Sequence, residues 1–154
     1  MTTMTTTNIS EREFNEYDQG RRLFAHDNAR RYASLETTGS KQSVAFNWRS
    51  DIVEPSVVID ETSGTTWVGV DDRLAAVTKD GRIIVSLALP SQLLTVELRK
   101  GKAVVVCELQ AVIVNSDGSI HATFDFPDAV DDFSIDQNTL SASFMDGSTS
   151  EFKF

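Results

Sequence analysis

The sequence predicts a mainly β protein: an antiparallel meander of about twelve short strands in three 37-residue repeats, preceded by one N-terminal α-helix. Three observations carry this. At a fixed offset of 37 residues Gly64, Gly101 and Asn138 fall in one register, Asp80-Gly81 matches Asp117-Gly118, and Pro90 matches Pro127. Glycine and asparagine tolerate the left-handed backbone of tight turns, so the turns repeat. The apolar positions repeat with them, Ile83 with Ile120, Leu87 with Phe124 and Leu89 with Phe126. From Val44 onward apolar and polar residues alternate, the period of a half-buried strand.

Taken in order, residues 1–9 are rich in threonine and methionine without periodicity, and we expect a disordered arm. Ser10 followed by Glu13 is a capping-box pattern and opens a helix expected over 10–36. Its apolar stripe is Phe14, Tyr17, Phe24, Tyr32 and Leu35, with Gly20 weakening the middle. So thin a stripe needs other structure to lie against. Residues 37–43, with Gly39, read as a linker, and 44–154 as the repeated β-domain, forming one compact domain with the helix.

The strands of one unit can be followed through the copies. Val57–Asp60 corresponds to Leu94–Leu98 and Asp132–Ile135; Thr65–Val70 to Ala103–Cys107 and Thr139–Phe144; Leu74–Val77 to Ala111–Val114 and Ser148–Phe154. Arg82–Leu89 corresponds to Ile120–Phe126, and the last copy has no fourth strand, a place that Val44–Trp48 is positioned to fill. Alternation puts Leu140, Ala142 and Phe144 on the core face, with Ala103, Val105 and Cys107 and with Thr66, Val68 and Val70. Ala103–Cys107 and Ala111–Val114 are apolar on both faces, as central strands covered on each side would be.

The stretch from Thr66 to Ile84, with a strand ending Gly69-Val70, a tight turn, the alanine-bearing Leu74-Ala75-Ala76-Val77 and the turn Asp80-Gly81, resembles blades of quinoprotein-type and WD-type β-propellers. The resemblance covers roughly residues 44–154 and implies a propeller-like or curled sheet. Three units fall short of the four to eight blades of a ring, so it also implies a half-ring that a homodimer would complete. A β-trefoil, with three four-stranded repeats, is the alternative, although the Gln-x-Trp signature of sugar-binding trefoils is missing.

The formal charge is −9, from 23 acids against 14 bases. It repels phosphate backbones and anionic lipid, so neither nucleic acid nor a membrane is an expected partner. No apolar run approaches the roughly 18 residues that span a bilayer. The single cysteine cannot form an internal disulfide, and no secretory pattern opens the chain, so the expected setting is cytoplasmic.

Chemistry is sparse. His26 reads as mid-helix beside Asp27, and His121 stands four strand residues, about 13 Å, from Asp125, too far for a hydrogen bond. Cys107 sits in an apolar string where a thiol behaves as a small hydrophobe. Asp125, Asp128, Asp131, Asp132 and Asp136 crowd one segment but lack the glycine-punctuated pattern of a calcium loop. Phosphate loops and nucleophile elbows are missing. We therefore assign no catalytic, cofactor-binding or metal residue and no cofactor, and expect a protein that is not an enzyme. The partner-binding candidates are Asp128, Asp131 and Asp132, an anionic loop near Phe124, Phe126 and Phe133, together with Trp67, which is either covered by the helix or an exposed interface anchor. The expected function is a protein-interaction or assembly module with an acidic β-surface, acting as a homodimer. The alternatives are a bacterial immunity-type inhibitor of a basic toxin and a lectin-like small-ligand module.

Overall fold

A computed structural model describes residues 4–37 and 43–154, so most of the expected linker 37–43 lies outside the described residues. The chain divides into two compact units, Met1–Ala88 and Leu89–Phe154. The boundary falls between the first and second copies of the repeat, not between a helix and a β-domain. Among the described residues fifteen strands form four sheets.

In the first unit, β1 (Met4–Asn8), β2 (Arg22–Phe24), β3 (Arg31–Thr37) and β4 (Val44–Trp48) form a sheet in the order β1-β3-β4-β2. The β1–β3 and β3–β4 pairs are antiparallel, while β2 runs parallel to β4. This sheet corrects three expectations. The arm is not disordered over 4–8, because threonine's branched side chain suits an extended strand and Met4 to Asn8 pair with Thr37 to Ala33. The helix 10–36 is reduced to α1 (Glu11–Asn15) and a single 3-10 turn at Gln19–Arg21. Ser10 does build the capping box, its hydroxyl accepting from Glu13 N–H at 3.1 Å, but so short a helix gains little beyond its first turn. Beyond it Ala33 and Leu35 obey period two and point into the core. Finally, Val44–Trp48 belongs to this sheet and does not complete the last repeat.

The second sheet is a plain meander of β5 (Ser56–Asp60), β6 (Thr65–Val70), β7 (Arg73–Val77) and β8 (Ile83–Ala88). Its Val68, Val70, Ala75 and Val77 pack against Leu23, Leu35, Phe46 and Trp48 of the first sheet. At the β5–β6 turn Gly64 has φ +75°, a backbone that strains any other side chain, and a Cβ there would press on Lys79 Cβ at 3.1 Å.

The second unit holds β9 (Leu93–Arg99), β10 (Lys102–Cys107), β11 (Gln110–Asn115) and β12 (Ile120–Asp125) in one meander, and β13 (Val130–Ile135), β14 (Thr139–Phe144) and β15 (Thr149–Lys153) in another. Strands β5, β9 and β13 begin 37 residues apart, as do β6, β10 and β14. The core lies between these two sheets, where Val104, Val106, Ala111 and Ile113 meet Leu140 and a set of half-buried phenylalanines, Phe124, Phe126, Phe133 and Phe152. Among the described residues every strand pair of the three repeated sheets joins strands of the same repeat, whereas a trefoil must pair strands across its repeats to close its barrel; the trefoil alternative is set aside. Asn138 occupies the register of Gly64 and Gly101 without their left-handed backbone, because the non-glycine residues with positive φ are, among the described residues, Asn28, Asp71 and Lys100.

Candidate functional site

The most distinctive surface lies at one end of the second unit, where two hairpin turns and a linker are bolted together. The linker from β12 to β13 contains Pro127, whose missing N–H ends the β12 ladder. On either side of it Phe126 N–H donates to the Leu109 carbonyl at 3.0 Å and Val130 N–H to the Glu108 carbonyl at 2.9 Å. Met145 N–H donates to the Ala129 carbonyl at 2.9 Å. The same backbone segment thus holds the β10–β11 turn on one side and the β14–β15 turn on the other. The preceding linker repeats the device, since Glu108 N–H donates to the Gln92 carbonyl at 2.8 Å and Leu109 N–H to Ser91 Oγ at 3.2 Å.

These bonds present two apolar side chains to solvent, Leu109 at 47 % and Met145 at 65 % exposure. Exposed carboxylates flank them: Glu108 precedes Leu109, Asp146 follows Met145, and Asp128 and Asp131 lie either side of Ala129 and Val130, the linker residues that bond to the two turns. Asp146 Oδ1 accepts the hydroxyl of Ser148 at 2.5 Å and its N–H at 2.9 Å, which holds this carboxyl below the usual range. Between Lys102 and Lys153 the chain has nine carboxylates and no lysine or arginine, so the formal charge of −9 resides in that stretch alone. An apolar centre with an anionic rim suits a basic partner that buries one or two apolar side chains.

Of the sequence candidates, Asp128 lies in the linker, where it accepts from Ala129 N–H at 2.8 Å, and Asp131 is the extra residue of a β-bulge between Val130 and Asp132. Asp132 follows the bulge onto a different surface. With Ser134, Ser141, Ser143, Thr149 and Glu151 it lines a shallow hollow of about 640 Å³ over the open face of β13–β15. Asp136 sits at the opposite end, in the β13–β14 turn. The expected aspartate cluster is therefore divided. Trp67 as an exposed anchor is corrected: it sits mid-strand in β6 between Val58 and Ala76 and is 2 % exposed, a core residue of the first unit. Leu109 and Met145 escaped the sequence reading. Their signal was an apolar residue inside each turn at nearly the same place in the repeat.

The first unit contains a buried polar network. His26 is not in a helix; its side chain is 1 % exposed, with Nδ1 2.8 Å from the Asn47 carbonyl and Nε2 3.2 Å from Asp72 Oδ1. Both partners accept, so both bonds form together only when the ring is the doubly protonated imidazolium. Asn47 Oδ1 accepts from His26 N–H at 2.6 Å, and Asp71 Oδ2 from Arg49 N–H at 2.6 Å. Arg49 and Arg73 reach Asp72 at 3.5 and 3.2 Å. This ties β4 to the β6–β7 turn, where Asp71 adopts φ +53°. Cys107 in β10 is fully buried, and that burial pushes its thiol up to about 12. Such a thiol carries no nucleophilic role at neutral pH.

No protein-family model matches the sequence, and no curated protein matches it. Solved structures do. The computationally designed Ika4 protein is 13 % identical, covers 90 % of this chain over 94 % of its own length, and superposes with a TM-score of 0.57. BamB from Moraxella catarrhalis is 13 % identical over 99 % of this chain and 49 % of its own, with a TM-score of 0.52. BBS1N, solved in complex with ARL6DN, is 18 % identical over 78 % of this chain and 40 % of its own, with a TM-score of 0.51. BamB is a β-propeller and BBS1N a WD-type propeller. The fold is propeller-like. At these identities the likeness concerns fold alone, and the chain spans half or less of BamB and BBS1N.

Proposed function

We propose that this chain is a cytoplasmic, non-enzymatic protein-interaction module and that the end face built from Glu108, Leu109, Asp128, Ala129, Asp131 and Met145 receives a basic partner. The observation that carries the reading is that backbone hydrogen bonds from one linker hold two exposed apolar side chains inside a rim of carboxylates, in a stretch without lysine or arginine. Apolar anchors supply most of an interface's affinity, and rim charges set approach and selectivity. That BBS1N, of similar fold, was solved in complex with another protein is consistent with this use.

The test is capture from the native host's lysate on immobilised wild-type chain, on a Leu109→Ser/Met145→Ser variant and on an Asp128→Lys/Asp131→Lys variant, each washed at rising salt. A partner held by the wild type should be lost from both variants and should weaken with salt. Capture indifferent to both pairs of substitutions sinks the reading. An immunity-type inhibitor clamping a basic toxin domain is the narrower form of the same proposal, and there the captured protein would be a toxin whose activity the chain suppresses. The lectin-like alternative lost its structural basis with the trefoil.

A further inference from the structure

The sheet β13–β15 has three strands where β5–β8 and β9–β12 have four. In the complete sheets the fourth strand covers the outer edge of the third, as β12 covers β11. Among the described residues the outer edge of β15 has no strand partner. The bonds from Phe144 N–H to the Ser148 carbonyl and from Phe154 N–H to the Asn138 carbonyl, both 2.9 Å, fix the phase of the ladder. Even-numbered residues of β15 bond to β14, so the N–H and C=O groups of Thr149, Glu151 and Lys153 point to the open edge. Beside that edge Phe152 is half-buried, with its ring 5.0 Å from Phe124 and 5.7 Å from Phe126, and Phe154 is half-buried in the same cluster.

We propose that a second copy of this chain supplies the missing strand, β15 pairing antiparallel with its own equivalent about a two-fold axis through Phe152. A two-fold contact must be self-complementary, and this strand is. With Phe152 opposite Phe152, Glu151 of each copy lies opposite Lys153 of the other, and Ser150 opposite Phe154. The open-edge groups of Glu151 and Lys153 then meet as hydrogen-bonded pairs. The two Phe152 residues fall at a non-hydrogen-bonded position, where side chains approach most closely and aromatic pairs are favourable. The neighbouring permitted register, centred on Glu151, is rejected because it sets Glu151 against Glu151. Lys153 is the only lysine or arginine after Lys102, and among the described residues it has no ion pair; the proposed register gives it one. Face-on stacking of two copies through β13–β15 is disfavoured, since it would bury Asp132, Ser134, Ser141, Ser143 and Glu151 together. The edge route leaves these side chains in water.

Charge reversal tests this specifically, because all four side chains are exposed in the free chain. Sedimentation equilibrium of the full chain, up to high micromolar concentration, should show a reversible monomer–dimer equilibrium. Lys153→Glu and Glu151→Lys should each weaken it by about tenfold, since each places like charges opposite one another twice. The double variant Glu151→Lys/Lys153→Glu should recover the wild-type dissociation constant, and an equimolar mixture of the two single variants should form a mixed dimer. A wild-type chain that stays monomeric throughout overturns the proposal. So does a dimer indifferent to the single reversals, or one that the double variant fails to restore. None of these substitutions touches the acidic end face, so failure here leaves the partner-binding reading standing and the converse also holds.

Discussion

The two compact units handle charge in opposite ways. In the first, arginines are fastened into the structure: Arg30 to Asp51 at 2.8 Å, Arg31 to Glu54 at 2.6 Å and over the ring of Trp48, Arg21 to the carbonyls of Gly81 and Ser43, and Arg49 and Arg73 around the His26–Asp72 contact. In the second, Arg99 with Glu97 is the one ion pair among the described residues, and nine carboxylates fall in the stretch between Lys102 and Lys153, which has no lysine or arginine. The first unit contains the irregular sheet, with a parallel strand and a bulge that a simple hairpin cannot specify, and its polar bonds fix that arrangement. The second is built from hairpins whose turns specify themselves.

The largest expected effect follows from His26. Replacing it with alanine removes a buried ring and its contacts to the Asn47 carbonyl and Asp72, while Asp72 keeps Arg49 and Arg73, and should cost about 2–4 kcal/mol. Hydrogen exchange should place that loss in β2, β4 and the β6–β7 turn, with protection of β10 and β14 unchanged. Equal loss in both units would break the comparison. Arg31→Ala, which removes the ion pair to the exposed Glu54 and the contact over Trp48, should cost about 1 kcal/mol by urea titration. In the second unit the combined change Asp128→Asn/Asp131→Asn should move stability by no more than about 0.5 kcal/mol in either direction. A loss as large as that of Arg31→Ala would show that those aspartates hold the fold.

Why the units differed in legibility has the same origin. The 37-residue offset gave the strands of the three repeated sheets nearly to the residue, because each hairpin is local and its turn residues announce it: Gly64, Gly81, Gly101 and Gly118 all take positive φ. The first sheet was misread because its pairings are not local. Strand β1 pairs across α1 and β2 with β3, and β2 joins β4 in parallel, so neither short turns nor a shared offset marks them. Phe14, Phe24, Tyr32 and Leu35 fit a helical stripe by spacing while three of the four lie on strands. Of the site, Asp128 and Asp131 were legible as charge. Their apolar companions Leu109 and Met145 were not, since nothing in the sequence says that two turns 36 residues apart are joined by hydrogen bonds to one linker.

The smallest effect probes how the second unit keeps its charge as pH falls. Asp117 and Asp146 each sit two residues before a serine whose hydroxyl and N–H they accept, and both are held below the ordinary carboxylate range for that reason. A carboxyl whose folded pKa lies below its unfolded one adds stability above the unfolded value, and that contribution disappears as pH falls through the folded value. These side chains are exposed, so the change in stability is slight, but the charge itself is directly observable. Carboxyl carbon shifts followed through an acid titration should show both aspartates protonating below the ordinary carboxylate range. Ser148→Ala should return Asp146 toward the ordinary value and leave Asp117 where it was. If Asp146 keeps its low midpoint without the Ser148 hydroxyl, that hydroxyl is not what holds the negative charge beside Met145, and the remaining Ser148 N–H must carry it instead.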